Sequence, residues 1–148
     1  MPSRKQNIIQ HLRDAKQGHV RWVMYASALI GGLEVAKDHV PVSGTDCSFG
    51  KWYYTDGQML KALPSFKKIE QPHLELHKAY MEIFRLLFNS DNREEVGFWG
   101  RLFGRKSERQ SEEQRQKVQT QFLLLQNLSR AIVDLLDSLE DEVALLSD

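Results

Sequence analysis

The sequence predicts an all-α fold: an antiparallel helical bundle of the four-helix kind, with one short irregular connection. Three observations predict it. Long stretches repeat apolar residues at steps of three and four, the spacing of a single helical face. Pro41, Gly44, Gly50, Gly57 and Pro64 gather in one segment, 38–64, and leave room there only for short helical turns. No stretch carries the alternation expected of a strand. The chain of 148 residues fits one domain, 1–148, with one core.

The first helix is expected over residues 4–34, ending at Gly31-Gly32, where glycine suits a C-terminal cap. Its face runs Ile9, Leu12, Lys16, His19, Val23, Ala26, Ile30, Leu33. Only Lys16 and His19 in that series are polar, so His19 lies on the face predicted to be buried. In the segment 38–64, Thr45-Asp46 is a candidate cap for a turn beginning near Cys47. The aromatics Phe49, Trp52, Tyr53 and Tyr54 would anchor this connection to the bundle.

Pro72 suits the first turn of a second long helix, about 72–90, whose inward stripe is His73, His77, Tyr80, Phe84, Leu87. Residues 89–110 read as a connector. The last helix, about 111–147, is expected to start near Ser107 or Ser111, each followed three residues on by glutamine, as in a capping box. Val118, Phe122, Leu125, Ser129, Ile132, Leu136, Leu139, Val143 and Leu146 then form a heptad seam. That seam is either an output or dimer surface or a strip buried against the first two helices. Three long helices are one short of four; either short pieces of 46–69 or a second subunit completes the packing.

Composition narrows the function. Twenty basic residues offset twenty acidic ones, so broad electrostatic binding to nucleic acid or anionic lipid is not expected. One cysteine, Cys47, cannot form an intrachain disulfide, and a reducing cytoplasm is its natural setting. The N-terminus lacks a secretory signal, and no apolar run reaches the ~18–20 residues needed to span a bilayer. Residues 98–106 mix aromatics with cations and read as a membrane-surface or partner contact, or as a plain connector.

The chemistry-bearing residues are His19, Cys47, His73 and His77. A neutral imidazole on a core face is costly to bury unless its nitrogens find partners. His73 and His77 are one turn apart and reach a common point. His19 approaches it if the helices pack side by side, and Cys47 lies in the segment joining them. Three imidazoles and one thiolate make a tetrahedral zinc set. A lone His-x-x-x-His is weak evidence, however, and one cysteine is often only a small buried hydrophobe. His11 and His39 read as ordinary exposed or loop residues, and Trp22 as packing near the site. Lys51 and Trp52 are expected to stabilise the turn after Cys47. Asp46 is either a second acceptor that orients a histidine or a cap.

Three stretches, His19-Val20-Arg21-Trp22, Cys47-Ser48-Phe49-Gly50-Lys51-Trp52-Tyr53 and His73-Leu74-Glu75-Leu76-His77, resemble in order the motifs of the chemoreceptor zinc-binding (CZB) domain family. The resemblance covers roughly residues 10–90, and its cysteine-aromatic block is the most specific part. It implies a cytoplasmic helical bundle, commonly a homodimer, with Zn2+ held by His19, Cys47, His73 and His77. It also implies a regulatory domain that senses zinc or oxidants such as hypochlorous acid and signals to chemotaxis receptors or diguanylate cyclases. No methyl-accepting hairpin or cyclase motif accompanies it here. Four protein ligands close a zinc sphere, so no enzymatic activity is expected. The competing expectation is a helical adaptor that binds a signalling partner and uses zinc only as a structural staple.

Overall fold

A computed structural model describes residues 1–32, 43–88 and 104–147, with side chains in the last stretch from 112 onward. Helix α1 spans Arg4–Ile30. Ser3 opens it with a capping box, its hydroxyl accepting from the Gln6 N–H while the Gln6 side chain accepts from the Ser3 N–H. Gly31 closes it, and Gly32 follows at φ 85°, a left-handed conformation suited to glycine. The short helix α2 spans Ser48–Tyr53, and a 3-10 turn follows at Asp56–Leu60. Helix α3 spans Pro64–Phe88 and helix α4 spans Gly104–Ala144. Among the described residues there is no strand, and no helix is long and apolar enough to cross a membrane.

Polar contacts fix the directions. Lys5 donates to the Leu146 carbonyl, Arg13 pairs with Glu140 at 2.7 Å, and Lys16 pairs with Asp137 at 2.5 Å. As α1 ascends, α4 descends, so the two are antiparallel. Ser65 meets Glu142 at one end of α3 and the Leu86 carbonyl accepts from Gln114 at the other, so α3 is antiparallel to α4 as well. The segment between α1 and α3 returns alongside α1: Phe49 lies by His19, Trp52 by His11 and Met59 by Arg4. The bundle is therefore up, down, up, down, and its second member is shortened to α2 and the 3-10 turn. The short pieces of the same chain occupy the place of a fourth helix.

The core forms where these faces meet. Leu12, Ala26, Phe66, Ile69, Leu76, Tyr80, Ile83, Leu125, Ile132, Leu136, Leu139 and Val143 are all buried to 2% exposure or less. The α4 seam is thus an internal strip from Val118 to Val143, and only its last member, Leu146, is exposed. This corrects the reading of the seam as an output or dimer surface: α1 and α3 already cover it. On α1 the buried face is Ile8, Leu12, Ala15, His19, Ala26 and Leu29, slightly rotated from the expected one. Lys16 points instead to Asp137, which leaves the small Ala15 against the core.

Two helix starts differ from expectation. Helix α3 begins eight residues before Pro72, with Pro64 in its first turn, and Pro72 lies inside it. A proline in a helix interior removes one backbone hydrogen bond. Here Ser65, Phe66 and Ile69 bury on the same side as His73 and Leu76, and that continuous face carries the helix across the proline. Helix α4 begins at Gly104, before either serine proposed as its cap. Residues 105–117 are all Arg, Lys, Glu, Gln or Ser, mostly strong helix formers with no apolar period to reveal them. His39 and residues 98–103 lie outside the described residues, as do the side chains of 104–106.

Candidate metal centre

The structure brings His19 from α1, Cys47 from the turn before α2, and His73 and His77 from α3 to one place. One ligand-type atom from each lies within 4.8 Å of all the others. The three histidines are buried and Cys47 is half-buried. His73 Nε2 stands 3.1 Å from His77 Nε2 and 3.4 Å from Cys47 Sγ. A tetrahedral zinc with bonds of roughly 2.0–2.3 Å has donor-to-donor edges of roughly 3.3–3.7 Å. These two separations lie near that range, and the full set closes to within 4.8 Å. One ring nitrogen has a single proton or a single lone pair, so it cannot make a full hydrogen bond to both a second ring nitrogen and a sulfur. A central cation drawing on all the lone pairs satisfies the set, so the residues present fit zinc.

Each ligand is placed by local structure. His19 Nδ1 lies 2.6 Å from the Ala15 carbonyl one turn earlier, which makes Nδ1 the protonated nitrogen and frees Nε2 to face the cluster. His73 and His77 follow from the i, i+4 spacing of α3. Cys47 is itself the N-cap of α2, its Sγ accepting from the Gly50 N–H at 3.2 Å. This replaces the expected Thr45-Asp46 cap. The Asp46 carboxylate instead accepts from the Ser43 hydroxyl at 2.8 Å, a contact within its own turn.

Two glycines hold the Cys47 turn. A Cβ on Gly50 would stand 1.8 Å from the Gly44 carbonyl oxygen, and one on Gly44 would stand 2.6 Å from a Leu74 methyl. Backbone therefore presses on backbone across the turn, and the turn presses on α3 directly beside His73. The sequence reading treated both glycines only as helix breakers. A signal was present in their positions three residues either side of Cys47, but the close approach itself is a tertiary fact.

Aromatic rings wall the cluster. Phe49 sets its edge against His19 and His73, with centroids 5.7 and 5.0 Å away. Trp22 covers His77 at 4.7 Å and Tyr80 at 4.6 Å, the packing role expected of it. Tyr53 stacks on Phe66 and donates to the Phe66 carbonyl, docking α2 on α3. The Lys51 carbonyl accepts from the Thr55 hydroxyl, closing the end of α2. His11 is exposed as expected, yet it stacks on Trp52 at 5.2 Å.

Burial sets the electrostatics. Desolvation, opposed by the Ala15 carbonyl, holds His19 down to about 4 from 6.5. Desolvation and then the neighbouring His19 and His77 hold His73 down to about 2. Burial pushes the Cys47 thiol up, partly offset by the N–H groups of Gly50 and Phe49. His19 and His73 are thus kept neutral, as ligands must be. The thiol is the one member that needs a cation to ionise.

A helical bundle that brings three imidazoles and one thiol to a point has the donor set of a closed, four-ligand zinc site. Residues 19–84 match the family model of the chemoreceptor zinc-binding domain, CZB. That family is a zinc-binding one, and the matched stretch contains all four clustered residues. No curated protein and no solved structure matches the chain.

Proposed function

We propose that this chain is a cytoplasmic regulatory domain in which His19, Cys47, His73 and His77 hold one zinc ion, and in which the state of Cys47 is passed to a signalling partner of the chemotaxis or cyclic-di-GMP class. The observation that carries this reading is the convergence of three buried imidazoles and one thiol from three separate elements. Four protein donors complete a tetrahedral sphere, whereas a catalytic zinc keeps a position for water. Bound zinc supplies a cross-link between α1, the Cys47 turn and α3, and favours the thiolate. The chain's own groups do the rest. The Ala15 carbonyl fixes the His19 tautomer, the Gly50 N–H supports the sulfur, and Phe49 and Trp22 pack against the His19 and His77 rings.

Two inputs suit this site: zinc occupancy and oxidation. In the second, the Cys47 thiolate and hypochlorous acid give a sulfenic acid and chloride, with sulfur oxidised by two electrons and chlorine reduced. A neutral sulfenic acid is a poor zinc ligand, so the turn before α2 loses one anchor. The test has two parts. Protein purified without added zinc should contain one zinc per chain. A brief hypochlorous acid pulse should then modify Cys47, seen by mass spectrometry, and release the metal. A zinc-free, well-folded protein refutes the site, and an unmodified Cys47 refutes the oxidant input.

The second reading is an adaptor with a purely structural zinc, favoured by the depth at which the three histidines are buried. Cys47→Ser separates the two. A sensor loses its response, whereas an adaptor loses stability and partner binding together. We also take the chain to be a homodimer. The α4 seam is covered internally and is not offered for pairing; sedimentation velocity tests the oligomeric state.

A further inference from the structure

A cavity of about 250 Å³ lies beside the cluster, lined in part by Gly18, Trp22, Cys47, Phe49, Trp52 and His77. Exposed His11 and Asp14 border it too, so it communicates with solvent. With a liquid-water share of roughly 30 Å³ per molecule, the cavity accommodates several small molecules. One wall is the middle of α1, and at Gly18 that wall is bare. A Cβ built there meets nothing within 4 Å. A glycine inside a helix weakens it relative to alanine. At Gly44 and Gly50 close packing demands glycine; at Gly18 no neighbour does. What Gly18 provides is open space one residue from His19.

We propose that this cavity is the entrance through which a small uncharged electrophile reaches the Cys47 sulfur, and that the missing side chain of Gly18 keeps it open. The proposal rests on the reading of Cys47 as a reactive ligand. Its chemistry follows from the lining. Trp22, Phe49 and Trp52 make the apolar part of the wall, against which a charged reagent loses hydration. Asp14 at the border further disfavours anions. Hypochlorous acid, small and neutral, fits that class, and iodoacetamide is a convenient probe of it. With iodoacetamide, a bond forms between Sγ and the methylene carbon, the carbon–iodine bond breaks, iodide leaves with the electron pair, and any thiol proton passes to water.

The experiment follows alkylation of the full-length protein by iodoacetamide with time-resolved mass spectrometry. It uses the wild type, Gly18→Leu, Gly18→Ala and a control on the exposed neighbour, Gln17→Leu. Zinc content and circular dichroism are recorded for each. Gly18→Leu is expected to react about tenfold more slowly with zinc content unchanged, a factor equal to about 1.4 kcal/mol of added barrier. Gly18→Ala should slow the reaction by less, and Gln17→Leu should match the wild type. A folded Gly18→Leu protein that reacts at the wild-type rate overturns the proposal, as does equal slowing by Gln17→Leu. If leucine prevents folding, Gly18→Ala decides, and a rate equal to the wild type overturns it. Absence of zinc from the wild type would sink the metal reading but leave the alkylation series interpretable. A wild-type Cys47 that reacts only after denaturation would sink the entrance and leave the metal reading standing.

Discussion

Replacing Gly50 by alanine tests whether backbone packing, rather than the ligands alone, places the thiol. The added Cβ would stand 1.8 Å from the Gly44 carbonyl oxygen, 2.9 Å from its carbon and 3.2 Å from Thr45 Cα. Ordinary contact begins at 3.4 Å, so the two strands of the turn must part by about 1.6 Å. Neither partner is a side chain that can swing aside. Cys47 sits between them, 3.6 Å from the Gly44 carbonyl and hydrogen-bonded to Gly50 itself. A zinc–ligand bond tolerates deviations of about 0.2 Å, several times less than this movement. The steric cost is about 1–3 kcal/mol for the fold. Zinc affinity should fall at least 10–100-fold, the range typical of losing a supporting contact, since here a ligand is displaced as well. Competition against a chromophoric chelator reads the affinity, and circular dichroism confirms folding. A folded Gly50→Ala protein with wild-type zinc affinity would refute the argument.

Acidification should destabilise the zinc-free protein in a defined window. His19 and His73 are held at about 4 and about 2 in the fold, against 6.5 in the unfolded chain. The unfolded state therefore takes up protons first, and stability is full above pH 6.5 and lost as pH falls below it. With two such groups the loss approaches about 2.7 kcal/mol per pH unit between about pH 5.5 and 4. Urea melts at successive pH values check this, and a pH-independent midpoint counts against it. Glu142→Ala removes the acceptor for both the backbone N–H and the hydroxyl of Ser65 at the start of α3. It should cost about 1 kcal/mol, or about 2–4 °C in melting temperature, without changing zinc stoichiometry. Ile132→Ala in the fully buried part of the α4 seam should cost about 2–5 kcal/mol in chemical denaturation. A negligible loss would mean that the seam is not core.

Periodic apolar patterning made the long helices legible, because burying one face is what stabilises them. It failed where burial and local chemistry diverge. Pro72 is a breaker locally, but Phe66, Ile69, His73 and Leu76 form one continuous buried face across it, and packing wins. The start of α4 was hidden because residues 105–117 are helical by propensity and have no apolar stripe. Cys47 was marked mainly by the cysteine-aromatic block of the CZB resemblance, whereas the three histidines were legible because imidazoles on inward faces demand partners. The Gly44–Gly50 contact and the cavity at Gly18 were not, since both depend on how distant segments meet. Asp46 shows the opposite case: a plausible acceptor in the sequence whose carboxylate is engaged by Ser43 within its own turn.

The shortened second member of the bundle gives the site its asymmetry. Three clustered groups stand on long frames that their own cores hold in place, while the sulfur belongs to a six-residue helix, too short to persist unaided in water. Detaching the sulfur therefore withdraws the support of the weakest wall and leaves the strong ones standing. In the proposed sensor, a chemical event on one atom would then act on a side door rather than on the whole building.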